Sequence, residues 1–366
     1  MDYRAQGIQQ LIRCQLLDRV TRAETAQLAG LRSLRIEHNV NNTIRGGGTL
    51  EVALREPADW KQVIVRLWVV LRHRGEVETH PMLTGLPALS GSTRAGRMSV
   101  ATLVIKDLTV LLDDVLGRYW VVTAGTVVTT AVRDILTGLG IAELTITESS
   151  ATLRSDLTCG PGDTYRRLIN DLLEAINYAA IWTTTRGVFV AQPDVAPAAR
   201  PELFPLEPGP RAIRADQVGA ELDTDVPNHF VLTTRGDGDQ AALVAEGWND
   251  DPDNPYSTLN QRVIPYTAEV EATDQAALNS QLDRIMAEYR WSPRKFSVQW
   301  RWFPIGPDRQ IEVKDAGRLV AAGVTVRDVV VDEPIDTAVT VESMGWSWQA
   351  GEPLSPVDGV LKEVRG

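Results

Sequence analysis

The sequence is poor in the residues that usually carry chemistry. Its 366 residues include four histidines, His38, His73, His80 and His229, and two cysteines, Cys14 and Cys159. No two histidines stand three to five positions apart, which excludes a paired-imidazole metal site on one helix. Two cysteines alone build neither a disulfide framework nor a zinc cage. No serine sits in a G-x-S-x-G elbow. The run Gly46-Gly47-Gly48 lacks the Lys-Ser/Thr of a phosphate loop and the spacing of a dinucleotide fingerprint. It reads as a turn, where glycine tolerates positive φ. The expected sets of catalytic, cofactor-binding and metal-ligating residues are therefore empty.

Long apolar runs are missing too. The best, Val63 to Leu71, is cut by Arg66 and falls short of the ~18 residues of a membrane helix. Arg13, Asp18 and Arg19 interrupt the first apolar stretch, so the N-terminus reads as lacking a signal peptide. Lysine is scarce, five against 32 arginines, and the net charge is −11. An acidic chain lacks the basic face that holds nucleic acid.

What is present is ordinary globular material, 43% hydrophobic and 23% charged, long enough for two or three domains. Thr49–Leu54 alternates, with Leu50, Val52 and Leu54 on one face, which predicts a strand. Val63–Leu71 is apolar on both faces and predicts a strand covered twice. Pro81–Leu89 and Met98–Leu108 are further strands, separated by the turn-rich Ser90–Gly96. Then the period changes. Val128, Val132, Ile135, Leu136 and Leu139 form a helical stripe closed by Gly138 and Gly140. Tyr165, Leu168, Ile169, Leu172, Leu173 and Ile176 form a second, capped by Asp163 or Thr164. Ala179–Thr184 and Val188–Gln192 flank Arg186-Gly187 as a hairpin.

Six prolines between Pro193 and Pro210 predict a stiff, extended connector and a domain boundary. Strands are expected at His229–Thr234, Ala241–Glu246 and Gln261–Val270. A helix follows over about 273–290, with Leu278, Leu282, Ile285, Met286 and Tyr289 in phase, Thr273 or Asp274 as cap, and Ser292-Pro293 as stop. Phe296, Val298, Trp300 and Trp302 share a strand face, as do Trp346 and Trp348. Without interleaved basic residues these aromatics read as sheet core or subunit contact rather than a platform for sugars or bases.

Three isolated features read the same way. Asp113-Asp114 is a solvated helix end or turn rather than an acid–base pair. The segment from Asn249 to Pro255 lacks the central glycine and terminal Glu of a calcium loop and reads as a polar surface loop. Cys159, beside Gly160-Pro161-Gly162, has no partner base and reads as a small buried thiol.

The order of signals is informative where no single one is. Asn42-Thr43-Ile44-Arg45-Gly46-Gly47 leads into a strand and then Asp59-Trp60. Pro81-Met82-Leu83-Thr84-Gly85 and Ile105-Lys106-Asp107 follow, with Leu111-Leu112 behind. Tyr119 to Thr126 opens a helix ending at Gly140. Gly162-Asp163-Thr164-Tyr165, Arg186-Gly187-Val188-Phe189, a proline-rich exit and Val226 to Val231 complete the series. Over roughly residues 30–335 this resembles the minor tail or baseplate hub proteins of long-tailed bacteriophages.

The resemblance implies an α+β, β-dominated fold. It has two tube-like β-barrel domains, a small α+β domain between them, and a helical insertion. The domains are expected at 1–120, at 121–205 ending in the proline-rich linker, and at 206–366. It also implies a structural virion protein, not an enzyme, placed at the distal tail tip. Three copies would make a ring adapting a hexameric tail tube to the tip, with DNA passing through its channel without specific binding. The implied partners are tail-tube rings, tip or fibre proteins and the tape measure protein. The position matching Lys106-Asp107 is often an aromatic-Asp pair in that family, so no role is assigned to Asp107. Arg45, Asp59 and Trp60 are the expected subunit contacts. The alternative function is a carbohydrate- or receptor-binding tail tip protein.

Overall fold

The computed structural model describes residues 7–54, 59–95, 98–195, 202–206, 219–221, 225–235, 241–289, 295–298, 302, 310–313 and 337–364. The chain is mostly sheet with few helices. The first third is all strand: β1 (Gln9–Asp18), β2 (Glu24–Gln27), β3 (Leu31–Asn39), β4 (Gly46–Leu54), β5 (Val63–His73), β6 (Glu76–Ala95) and β7 (Met98–Asp107). A short 3-10 turn, Leu108–Leu112, leads out of it.

Strand β5 is covered on both faces, as its composition requires. Val65, Leu67, Val69 and Leu71 point into one core with Leu34, Ile36, Leu50, Val52 and Leu103. Ile64, on the other face, joins a second core with Leu17 and Leu108. Two expectations are corrected here. Of the expected turn Ser90–Gly96, Ser90–Ala95 is strand: β6 runs on to Ala95 because β7 supplies a ladder from Gly85 to Ala95, with a bulge between Leu89 and Gly91; Gly96 lies outside the described residues. Gly46-Gly47-Gly48 is not a turn either but the start of β4, paired to Glu37, His38 and Ile36. The glycines are needed for close approach. A Cβ on Gly48 would collide with the Arg35 carbonyl, and one on Gly47 would sit 3.3 Å from the Ile105 carbonyl.

The middle segment holds β8 (Trp120–Val122), α1 (Val128–Gly138), β9 (Leu144–Ile146), β10 (Leu157–Cys159), α2 (Tyr165–Glu174), β11 (Trp182–Thr183) and β12 (Phe189–Ala191). Helix α1 buries Val128, Val132, Ile135 and Leu136, and the chain leaves through Gly140 at φ +75°. Thr164 caps α2 by accepting from the Arg167 amide at 3.2 Å. Leu168, Ile169, Leu172 and Leu173 are fully buried, while Ile176 lies past the helix end and is half-buried. Gly187, at φ +84°, makes the hairpin turn between β11 and β12.

The last part contains β13 (Glu202–Leu206), β14 (Gly219–Glu221), β15 (His229–Thr233), β16 (Val244–Trp248), β17 (Pro265–Glu269), α3 (Gln275–Tyr289), β18 (Lys295–Val298), β19 (Gln310–Val313), β20 (Thr337–Gln349) and β21 (Ser355–Val364). Within the expected proline-rich connector, Glu202–Leu206 is extended and pairs in parallel with β19. Asp274 accepts from the Ala277 amide at 2.8 Å and caps α3, which buries Leu278, Leu282 and Ile285 against β15 and β16. Of the expected Phe296–Phe303 strand, Lys295–Val298 is strand and Trp302 is buried. Residues 299–301 and 303 lie outside the described residues, as do Ser292 and Pro293.

The two ends of the chain meet. Strand β20 pairs antiparallel with β3 from Ser343↔Asn39 to Gln349↔Ser33. This joins the C-terminal strands to the first seven in one thirteen-stranded sheet. Trp346 is 2% exposed there and meets Trp302 edge-on at 6.4 Å.

Truncating a fully buried leucine costs about 2–5 kcal/mol. Leu172→Ala in the full chain is therefore expected to lower the urea midpoint markedly with an unchanged m-value. An unaltered midpoint would show that α2 does not anchor the second core.

Candidate functional site

No group of three or more His, Cys, Asp or Glu is placed to hold a metal among the described residues. Cys159 is 1% exposed, and burial pushes its thiol up to about 11. Cys14 is likewise buried, and its thiol is pushed up to about 12. Neither is a thiolate nucleophile near neutral pH.

The segment Asn249–Pro255 is more than a surface loop. Asn249, Asn254 and Ser257 are buried. Asp251 and Asn254 side chains accept from the amides of Asp253 and Tyr256. Asn228, also buried, accepts from the Ile264 amide and donates to the carbonyls of Tyr256 and Arg262. These oxygens are spent on turn geometry, which ties the loop to β15.

Charged side chains instead fasten the middle segment to the large sheet. Arg166, on α2, is 6% exposed. Its guanidinium donates to the Asp113 carboxylate at 2.6 Å, the Thr43 carbonyl at 2.8 Å and the Thr109 carbonyl at 2.7 Å. Asp113 thus has a partner, and the neighbouring Asp114 takes no part in this bridge. Asp107, given no role from the sequence, is 4% exposed. It accepts from the Gly46 amide at 2.7 Å and from the Thr109 amide and hydroxyl. A buried carboxylate satisfied by main-chain donors pins β4, β7 and the 3-10 turn together. Beside it His38 donates from Nε2 to the Met82 carbonyl at 2.9 Å, and burial lowers its pKa.

Above this pin lies a groove of about 700 Å3 over β3, β4, β7, β20 and β21. Gly47 and Gly48 make its floor, and Arg35, Arg45 and Lys106 line it together with Glu37. The guanidinium of Arg45 sits 5.9 Å from the Trp182 ring centroid. Asp59 and Trp60 are not brought to it. Asp59 accepts from the Lys61 amide, and Trp60 packs on the first core.

A second surface is the face of β15–β16–β17 opposite α3. His229 stacks on Trp248 at 3.6 Å and 12°, and its Nε2 is 2.8 Å from Glu246 Oε1. Trp248 is 44% exposed. Of the eight described tryptophans it alone is exposed. Alternation in β16 marks Glu246 and Trp248 as one face, but their stacking on His229 depends on strand register.

Between α2 and α3 the contact is polar. Buried Gln281 donates to the carbonyls of Glu174 at 2.6 Å and Glu271 at 2.8 Å, and the Thr273 amide donates to Ala175 O at 3.0 Å. Burial raises the pKa of Asp171, Glu174 and Glu271, and their mutual repulsion adds to it. Arg167, Arg235 and Arg284 offset this in part.

No protein-family model matches the sequence, and no curated protein matches it. Solved structures do. A tail protein from Neisseria meningitidis MC58 superposes with a TM-score of 0.63 at 15% identity, over 96% of either chain. The 43 kDa tail protein of prophage MuSo2 from Shewanella oneidensis gives 0.62 at 13%, over 97% of this chain and 98% of that one. An E. coli type VI secretion component, described as structurally similar to two phage T4 tail proteins, gives 0.52 at 9%, over 92% and 74%.

Two measurements probe these contacts. Arg166 is buried but Asp113 is exposed, so Arg166→Ala chiefly strips the Thr43 and Thr109 carbonyls of a donor. A buried group left unpaired costs about 1–3 kcal/mol, and the chain should lose stability of that order in urea unfolding, with Arg166→Lys costing less. Carboxyls with raised folded pKa values favour folding when protonated. Their contribution is full below the ordinary carboxylate range and is lost as pH rises through the raised values. Exchange of the Thr273 amide, corrected for intrinsic rate, should therefore slow on acidification from neutral pH to the upper carboxylate range. Glu174→Gln should flatten that dependence, and equal protection at all these pH values would contradict it. The end-to-end superpositions, at such low identity, establish a shared fold: this chain has the fold of the bacteriophage tail proteins that its ordered sequence signals resemble.

Proposed function

We propose that the chain is a structural tail protein, the baseplate hub at the distal end of a phage-type tail. Three copies form a ring that adapts the hexameric tail tube to the tip and forms part of the DNA channel. Each contributes two tube-like β-barrel domains, 1–120 and 206–366, with the α+β domain of 121–205 between them. The observation that carries this reading is superposition on tail proteins along nearly the whole length of both chains.

Physical features support it. Buried polar groups in and around the middle segment, Arg166, Asp107 and Gln281, are spent on holding elements together. An acidic chain suits a conduit, since a wall that repels phosphates does not trap a passing duplex. Its partners are further copies, tail-tube rings, tip or fibre proteins and the tape measure protein. Arg45, Asp59 and Trp60 remain proposed subunit contacts. The alternative, a carbohydrate- or receptor-binding tip protein, needs several aromatics on one open face. Trp248 is the single exposed tryptophan among those described, so no observation favours it.

Native mass spectrometry of the purified chain is expected to show a trimer, and electron microscopy of tail tips a three-fold ring with a channel wide enough for duplex DNA. Six-fold copies, or a lumen lined chiefly by arginine, would refute this arrangement. Peptidoglycan turnover that is lost on a single acidic substitution would refute the non-enzymatic reading.

A further inference from the structure

We infer that copies of this chain join head to tail, the acid-rimmed Trp248 face of one copy seating in the glycine-floored groove of the next. The inference rests on the ring assembly proposed above and names the surfaces that build it.

Trp248 has the properties of an anchor. It stands on a sheet face that α3 does not cover, and its ring is held by the stack on His229, itself held by Glu246. A side chain ordered before binding loses little freedom on binding, and tryptophan is enriched among the residues that dominate interfaces. Its surroundings extend the patch. Leu259 and Val263 are 66% and 51% exposed. The amide next to Leu259, that of Thr258, is bonded to the Asn249 carbonyl beside Trp248, and the Ile264 carbonyl, next to Val263, accepts from the His229 amide. Glu246, Asp250 and Asp253 are exposed around it.

The groove is its complement in shape and charge. Gly47 and Gly48 line it, and the Arg35 and Ile105 carbonyls close their side-chain positions, so the space for a flat ring is the open volume of the groove itself. Its about 700 Å3 lies in the range of pockets that enclose small ligands. Three cations, Arg35, Arg45 and Lys106, stand against one carboxylate, Glu37. Arg35 is paired with Glu37 at 2.6 Å, and Lys106 is exposed. The two surfaces lie on different sheets, the groove on the thirteen-stranded one and the anchor on the three-stranded one. Contact between unlike surfaces is heterologous, and a closing heterologous contact generates a ring.

The test is the association constant of the full chain, by sedimentation equilibrium with native mass spectrometry, at 50 and 500 mM salt. Trp248→Ala, and separately Asp250→Lys with Asp253→Lys, should weaken the trimer about tenfold or more. Lys106→Glu should weaken it too, and combining it with Asp250→Lys should recover part of the loss. The unaltered trimer should weaken at the higher salt. All substituted residues are exposed, and far-UV circular dichroism checks that each variant folds. A wild-type trimer that persists unweakened in both the Trp248 and the aspartate variants would overturn this contact alone, and would leave the face to another tail protein. A wild-type chain that stays monomeric would overturn the ring reading and this contact with it.

Discussion

The ladder between β20 and β3 is the constraint on which the rest of the fold depends. It pairs residues 33–39 with residues 343–349, so the loop closed is most of the chain. Closing a loop of that length costs entropy, though the cost grows only slowly with length. The ladder offsets it with main-chain hydrogen bonds and with buried indoles. Trp346 enters the first core beside Trp302 and Met344. Both ends of the chain therefore stabilise one core, and neither is expected to keep its packing without the other.

The middle segment is held to this sheet by a shared apolar core, in which Leu17 and Ile64 lie with Leu136, Leu168 and Phe189, and by a few polar contacts. Arg166 reaches from α2 to the loop before β4 and to the 3-10 turn after β7, and Asp107 ties the start of β4 to that same turn. Such groups repay their desolvation only when every donor and acceptor is matched. The Gln281 bridge does the same between α2 and the α3 unit. There carboxyls on both sides, with pKa raised by desolvation, oppose the contact at neutral pH. The chain thus combines one rigid sheet with appended units whose attachments differ in strength.

The scarcity of reactive residues and the abundance of open sheet surface belong together. Catalysis needs converging titratable groups in a cleft. Here the groove presents glycine main chain with scattered cations, and the open face of the small sheet presents one locked tryptophan. Such surfaces recognise shape and charge over an area, which suits the assembly role proposed above.

The helices and the strands with clear period were legible in the sequence alone. The stripes of α1, α2 and α3 and the double coverage of β5 follow from residue spacing, because burial of one face leaves a local signature. The caps at Thr164 and Asp274 are local chemistry too. Four things were decided only by tertiary structure. Gly46-Gly47-Gly48 reads as a turn until the Arg35 and Ile105 carbonyls arrive beside it. Ser90–Gly96 reads as a turn until β7 supplies a ladder. Arg166 and Asp107 look like any surface charges, since Arg166 meets Asp113, Thr109 and Thr43 across 53, 57 and 123 residues and Asp107 meets Gly46 across 61. The stack of His229 on Trp248 likewise depends on register between two strands. Spacing along a chain records which face is buried; which distant strand covers that face is set by pairing, and no local pattern encodes it.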